Sequence, residues 1–195
     1  MDAPVPDERL SDGTYLVQLM TALGIVQKGS PILDTTARPF TLPAERAEAE
    51  DVVGRLHEAA DRVQRKYPFA RGMGLAAPQI GIDRRAVLVR PGHDERWIEL
   101  LNPTVVAMDG HQKHYEGCLS FFGVRGLVTR PSRITVEHTA PHGDRIVSRF
   151  DSGTAGLVMH EIDHIDGTLY DRRTADALLP VAEYRVLTAA GWTPA

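Results

Sequence analysis

The feature that most constrains this chain is His160-Glu161-Ile162-Asp163-His164, set among Leu157, Val158, Met159 and Ile165. Residues four apart share one face of a helix, so the two imidazoles stand about 5–6 Å apart at Cβ. That face is otherwise apolar. Histidines on a buried helix face are often no more than hydrogen-bonded core residues. Here the neighbours are hydrocarbon, and burying an unpartnered polar group costs about 1–3 kcal/mol. The spacing therefore predicts that His160 and His164 grip one metal ion, which makes this helix central to the fold. Glu161, one residue along, can approach a water on that ion rather than the ion itself, as a general base must.

Two histidines leave a catalytic ion short of its usual three protein ligands. Cys118 is the only thiol in the chain and follows Gly117, whose missing side chain lets the backbone come close to a ligand. The alternative is that Cys118 is a small buried hydrophobe. A single cysteine forms no intrachain disulfide, which suits a cytoplasmic protein. The first residues, MDAPVPDERL, lack the basic and apolar segments of a secretory signal. No run reaches the roughly 18 apolar residues of a membrane span. The net charge of −4 is spread among interspersed acids and bases, so no basic face invites direct nucleic-acid binding.

With 195 residues, 43% of them hydrophobic, the chain is expected to form one domain over 1–195, with 1–13 a flexible tail. Helical spacing predicts helices over Thr14 to Leu23, 44 to 66, Ala155 to Ile165 and Thr174 to Ala190. Strands are expected at Arg85 to Val89, Trp97 to Leu101, Thr104 to Met108, Gly126 to Thr129, Ile134 to His138 and Ile146 to Phe150. Strands flanked by helices rather than alternating with them predict α+β, with antiparallel β-sheets around a central HExxH helix, a long N-terminal helix and a C-terminal helix. Gly72-Met73-Gly74-Leu75-Ala76-Ala77-Pro78-Gln79 is no phosphate cradle, because it lacks the Lys-Ser/Thr of a P-loop.

That Gly-rich segment, Glu116-Gly117-Cys118-Leu119-Ser120 and His160-Glu161-Ile162-Asp163-His164-Ile165-Asp166-Gly167, in this order, resemble the peptide deformylase family. The likeness spans most of residues 25 to 171. It implies a metal-dependent hydrolase that removes the formyl group from the N-terminal methionine of new peptides, close to the ribosome, and releases formate. It further implies one divalent ion, Fe2+ first with Zn2+, Ni2+ or Co2+ as substitutes, held by Cys118, His160 and His164, with Glu161 as general acid/base. By the same resemblance the side-chain amide of Gln79 and the backbone N–H of Leu119 serve the oxyanion, Glu116, Phe122, Arg125, Gly156 and Leu157 line the methionine pocket, and the substrate peptide pairs as an added strand with the backbone of Met73 and Gly74, with Gly117 meeting it from the other side. A Glu116–Arg125 pair is expected as a brace. The chain departs from the family pattern at Met159, where Gln is usual, in the small-residue turn Ser152 to Gly156, and at Phe122, where proline is common. These departures predict a pocket of altered shape. The alternatives are a relative retuned to another N-acyl or small amide, or a metal-binding homologue without catalysis. An HExxH endopeptidase fits less well, since Asp163, Asp166 and Asp171 are poorly spaced as a downstream third ligand. The remaining histidines, His57, His93, His111, His114, His138 and His142, are expected to be solvated or structural.

Overall fold

Every third or fourth residue of the second helical segment is apolar, and each of these is buried. In the computed structural model, which describes residues 13–67, 69, 72–92, 95–174 and 176–189, helix α2 (Arg46–Lys66) turns Ala49, Val52, Leu56, Ala59, Ala60 and Val63 inward. They meet Leu75, Ala86 and Leu88 from strands β1 (Met73–Ala76) and β2 (Ala86–Arg90). Side chains alternate across a strand, so Val87 and Val89 point the other way. There they pack with Ala155, Val158, Ile162 and Ile165 of helix α3 (Ser152–Ile165), together with Leu100, Ile134 and Val136. The near-continuous apolar run of β2 follows from its having helices on both faces.

Strand β3 (Ile98–Asp109) joins β2, followed by β6 (Arg133–Thr139) and β7 (Arg145–Asp151), giving an antiparallel sheet ordered β1-β2-β3-β6-β7. A second sheet pairs β4 (Gln112–Cys118), β5 (Phe121–Arg130) and the short β8 (Leu179–Pro180). Helix α3 packs against β1, β2, β6 and β7 and also meets β5, and the predicted α+β fold with antiparallel sheets holds. Helix α1 (Gly13–Ala22) packs along β5, with Gly13 pressed on Gly123, where an added β-carbon would come within 3.1 Å of the opposing backbone. Gly13 thus lies in a helix rather than in a tail, and the rest of the expected tail lies outside the described residues.

Three expectations change. Trp97 to Leu101 and Thr104 to Met108 form one strand, β3, bent at Asn102-Pro103. Asn102 adopts φ 52° there, and its side-chain amide accepts from Phe40 N at 2.8 Å and donates to Phe40 O at 2.9 Å. Proline breaks the ladder without ending the strand, which is why the sequence reads as two. The last helix, α4, spans Val181–Ala189 rather than starting at Thr174, because Leu179 and Pro180 pair with Arg125 and Val124 first; Ala190, its expected end, lies outside the described residues. Strands β1 and β4 were not expected. Both are short of apolar alternation because β4 turns polar side chains toward α3 and β1 contains Gly74.

Candidate active site

Cys118 is positioned by an irregularity. Strand β4 pairs with β5 in regular register as far as Glu116 opposite Gly126, then shifts so that Cys118 faces Phe121. Gly117 sits at the shift, and a β-carbon there would fall 2.5 Å from the Arg125 guanidinium. The displaced strand end aims the thiol at α3. Its Sγ lies 3.1 Å from His164 Nε2, and donor atoms of Cys118, His160 and His164 all lie within 4.8 Å of one another, each residue buried. Two donors about 2.0–2.3 Å from one tetrahedral ion stand roughly 3.3–3.7 Å apart, and a cluster of this size and donor set could hold a single ion.

His160 is held by a further layer of contacts, whereas the buried Nδ1 of His164 has no hydrogen-bond partner among the described residues. His160 Nδ1 is 2.9 Å from Glu116 Oε2, which turns Nε2 toward the thiol. Glu116 is gripped by the buried Arg130 at 2.7 and 2.9 Å. Arg130 also donates to Asp163 at 2.5 Å, and Asp163 accepts from Arg173 at 2.6 and 3.1 Å. Burial works to raise the Glu116 carboxyl, but its bonds to Arg130, His114 and His160 outweigh that and hold it well below the usual carboxylate range. Burial likewise opposes charge on His160, yet its bonds to Cys118 and Glu116 keep it well above an ordinary histidine. His164 goes the other way, pushed well below by burial and by the charges of His160 and Arg130. Iron, zinc, nickel and cobalt all accept one thiolate and two imidazoles.

Gln79 and Glu161 flank this cluster. Gln79 is buried in a 3-10 turn (Ala77–Ile80); its Oε1 accepts from Ala76 N at 2.8 Å, and its Nε2 points at Ser120 Oγ, 3.2 Å, and Cys118 Sγ, 3.5 Å. The amide N–H2 therefore faces the ligand cluster. Glu161 is buried and its Oε2 has no partner, although this is the most costly kind of atom to leave unpaired. Burial pushes its carboxyl up to about 7. Its side chain rests on Gly74, where any β-carbon would overlap the carboxylate. An unpartnered carboxyl with a pKa near neutrality suits proton transfer.

These groups open into a cleft of about 610 Å³. Met73, Gly74, Gln79, Glu116, Gly117, Cys118, Leu119, Phe122, Arg125, Gly156, Leu157, His160 and Glu161 all line it. His164 alone of the expected site residues does not, being buried beneath. The expected Glu116–Arg125 brace is absent: Arg125 donates to Phe122 O at 3.1 Å and Val124 O at 2.8 Å, over the Phe122 ring. Strand parity explains the correction. Gly126, Val128 and Arg130 share the face that carries Gln112, His114 and Glu116, whereas Arg125 lies on the opposite one. Phe122 is buried against Tyr67, with ring centroids 4.9 Å apart, and Phe69 at 6.0 Å, so it belongs to the cleft's aromatic wall. Sequence reasoning missed Arg130, Asp163 and Tyr170, whose ring stacks 6.0 Å from His160. It also set His114 aside as solvated, although its Nε2 contacts Glu116 Oε1 at 3.0 Å and its ring lines the cleft. Only a register for β4 and β5 would have revealed these.

A family model described as polypeptide deformylase matches residues 22–177. The peptide deformylase of Carboxydothermus hydrogenoformans is 37% identical over 151 residues, covering 77% of this chain and 92% of that protein. That of Natranaerobius thermophilus is 45% identical over 105 residues, 53% of this chain and 67% of its own length. Among solved structures, the peptide deformylase of Thermotoga maritima superposes with a TM-score of 0.66 at 27% identity, covering 78% of this chain and 97% of that one. A Met-Ala-Ser-bound class I type b peptide deformylase from Acinetobacter baumannii gives 0.65 at 27% identity, over 76% and 97%. The motif order, the sheet-wrapped helix and these likenesses agree, and the chain belongs to the peptide deformylase family.

Proposed function

We propose that this chain hydrolyses the N-formyl group from the starting methionine of newly made peptides, releasing formate and a free amine. The observation that carries the reading is the meeting of Cys118, His160 and His164 within 4.8 Å beside an unpartnered Glu161 carboxyl. Cys118, His160 and His164 hold the ion, with Fe2+ favoured and Zn2+, Ni2+ or Co2+ as substitutes. A divalent cation held there supplies a Lewis acid that polarises the formyl carbonyl and makes water acidic enough to attack it near neutral pH. Glu161 takes a proton from the attacking water at its free Oε2 and returns it to the leaving amine. The Gln79 side-chain amide and the Leu119 backbone N–H donate to the oxygen that gains charge, a role in which one donor is worth about 10²–10³ in rate. Buried Glu116 fixes the orientation of His160, and Arg130 fixes Glu116.

The peptide lies between Met73-Gly74 on β1 and Gly117 on β4, pairing with their backbone, while Phe122 and Arg125 bound it on one side and Gly156 and Leu157 on the other. No helix among the described residues is long and apolar enough to cross a membrane. We place the enzyme in the cytoplasm, where peptides emerge from the ribosome. Anaerobic purification with metal analysis, followed by a formate-release assay on formyl-Met-Ala-Ser, tests the reading. One ion per chain and formate release are expected; a metal-loaded protein that releases no formate from any formyl peptide overturns it.

A further inference from the structure

The recess beside His160 is polar where a pocket built for methionine alone would be apolar. A peptide lying between the edges of β1 and β4 has α3 as its floor, since α3 packs beneath β1 and carries the ligand histidines. Next to His160 on that floor come Leu157, Gly156 and Gly153, all of which line the cleft. Facing them are Gln112, His114 and Glu116, alternate residues of β4 on one face of its sheet. Leu157 is the one large apolar side chain in this set. Gly156 leaves room that His114 fills: a β-carbon on Gly156 would stand 2.8 Å from His114 Cε1 and 3.1 Å from Nε2. The imidazole ring thus stands where the helix would otherwise place a side chain.

The free polar atoms of this wall are acceptors. Gln112 spends its Nε2 on Pro131 O at 3.1 Å and Ser152 O at 2.6 Å, leaving Oε1 open. His114 Nε2 lies 3.0 Å from the Glu116 carboxylate, a contact that a proton on that nitrogen stabilises. In the neutral ring Nδ1 is then an acceptor, and it has no hydrogen bond among the described residues. The Glu116 oxygens are already taken by Arg130, His160 and His114. An unbranched side chain of methionine's length that ends in a hydrogen-bond donor would satisfy this wall better than an apolar one.

We propose that the side chain of the formylated residue enters this recess, and that His114 widens the enzyme's substrate class from formyl-methionine to formyl peptides beginning with a donor-tipped side chain such as glutamine. The proposal rests on the deformylase reading and deepens it. A single neutral hydrogen bond is worth about five- to tenfold in selectivity.

The test compares kcat/KM for formyl-Met-Ala-Ser, formyl-Gln-Ala-Ser and formyl-norleucyl-Ala-Ser in the metal-loaded wild type, His114→Leu and His114→Gln. In the wild type, the glutamine peptide is expected within about tenfold of the methionine peptide. His114→Leu should lower the glutamine-to-norleucine ratio about five- to tenfold, and His114→Gln, which keeps an acceptor, should restore most of it. An unchanged ratio in His114→Leu overturns the proposal, even if all three rates fall together, because a uniform fall reports only the support that His114 gives Glu116. Calorimetric binding of unformylated Met-Ala-Ser and Gln-Ala-Ser to the same proteins separates this from the parent reading. Absence of formate from every peptide, with the binding ratio still shifted by His114→Leu, would sink the hydrolytic reading and leave the recess assignment standing. A binding ratio insensitive to His114 sinks the recess assignment.

Discussion

At the scale of single residues, the site depends on which groups are left without partners. Glu161 is buried with one oxygen unpaired, and that carboxyl is free to act because Gly74 gives it room. Two predictions separate its presence from its placement. Glu161→Gln keeps the shape and the three ligands, so metal content should stay at the wild-type level while kcat falls about 10²–10⁴-fold, read by formate release and metal analysis on one preparation. Gly74→Ala leaves every chemical group in place but forces the carboxylate aside. It should cost on the order of 10²-fold in kcat with metal retained, whereas wild-type kcat would show that Glu161 does not need its present position. Cys118→Ala removes the one sulfur, and both bound metal and hydrolysis should be lost; retention of either refutes ligation by Cys118.

At the scale of elements, the central helix was legible because periodicity and chemistry pointed the same way. An i, i+4 histidine pair on an apolar stripe defines a helix, a buried face and a ligand pair together. Helix α2 was equally plain. What the sequence concealed were elements defined by their partners. Strand β4 has Gln112, His114 and Glu116 on its inward face, so its alternation is polar and only its pairing with β5 reveals it. Once that register is known, Glu116 belongs with Arg130 and not with the nearer-numbered Arg125. The chain Glu116–Arg130–Asp163–Arg173 then ties β4 and β5 to α3 through charges that are mostly buried. Removing one member strands the others in a low-dielectric interior, which costs about 3–5 kcal/mol. Arg130→Met should therefore lower the free energy of urea unfolding by about that amount. It should also weaken metal retention, because His160 loses its oriented carboxylate. A variant as stable as wild type would show that this network contributes no net stability.

At the scale of the whole molecule, the proposed ligands come from elements of two different sheets and their neighbouring helix. Cys118 packs with Val128 and Tyr170 beside the β4-β5-β8 sheet, whereas α3 brings its histidines with a core shared by β2, β3 and β6. An ion held by the proposed ligands would thus close a link between the two sheets that no disulfide can supply in a chain with one cysteine. Binding to the folded state alone stabilises by RT ln(1 + [L]/Kd), about 2.7 kcal/mol at a hundredfold excess over Kd. For a chain of this size that corresponds to roughly 5–10 °C in Tm. The gain should be unevenly distributed. Strands β2 and β3 are buried in the larger core with or without metal, while β4 and β5 share that core only through Leu119 and Phe122 and otherwise meet α3 at the proposed ion site and the Arg130 network. Hydrogen exchange measured before and after chelation should accordingly show protection lost first across residues 112–130, with β2 and the middle of β3 little changed. Uniform loss across both sheets would mean that the ion stabilises the fold as one cooperative unit. No change in either, with Tm also unmoved, would mean that the two sheets are held together by packing and the charge network alone.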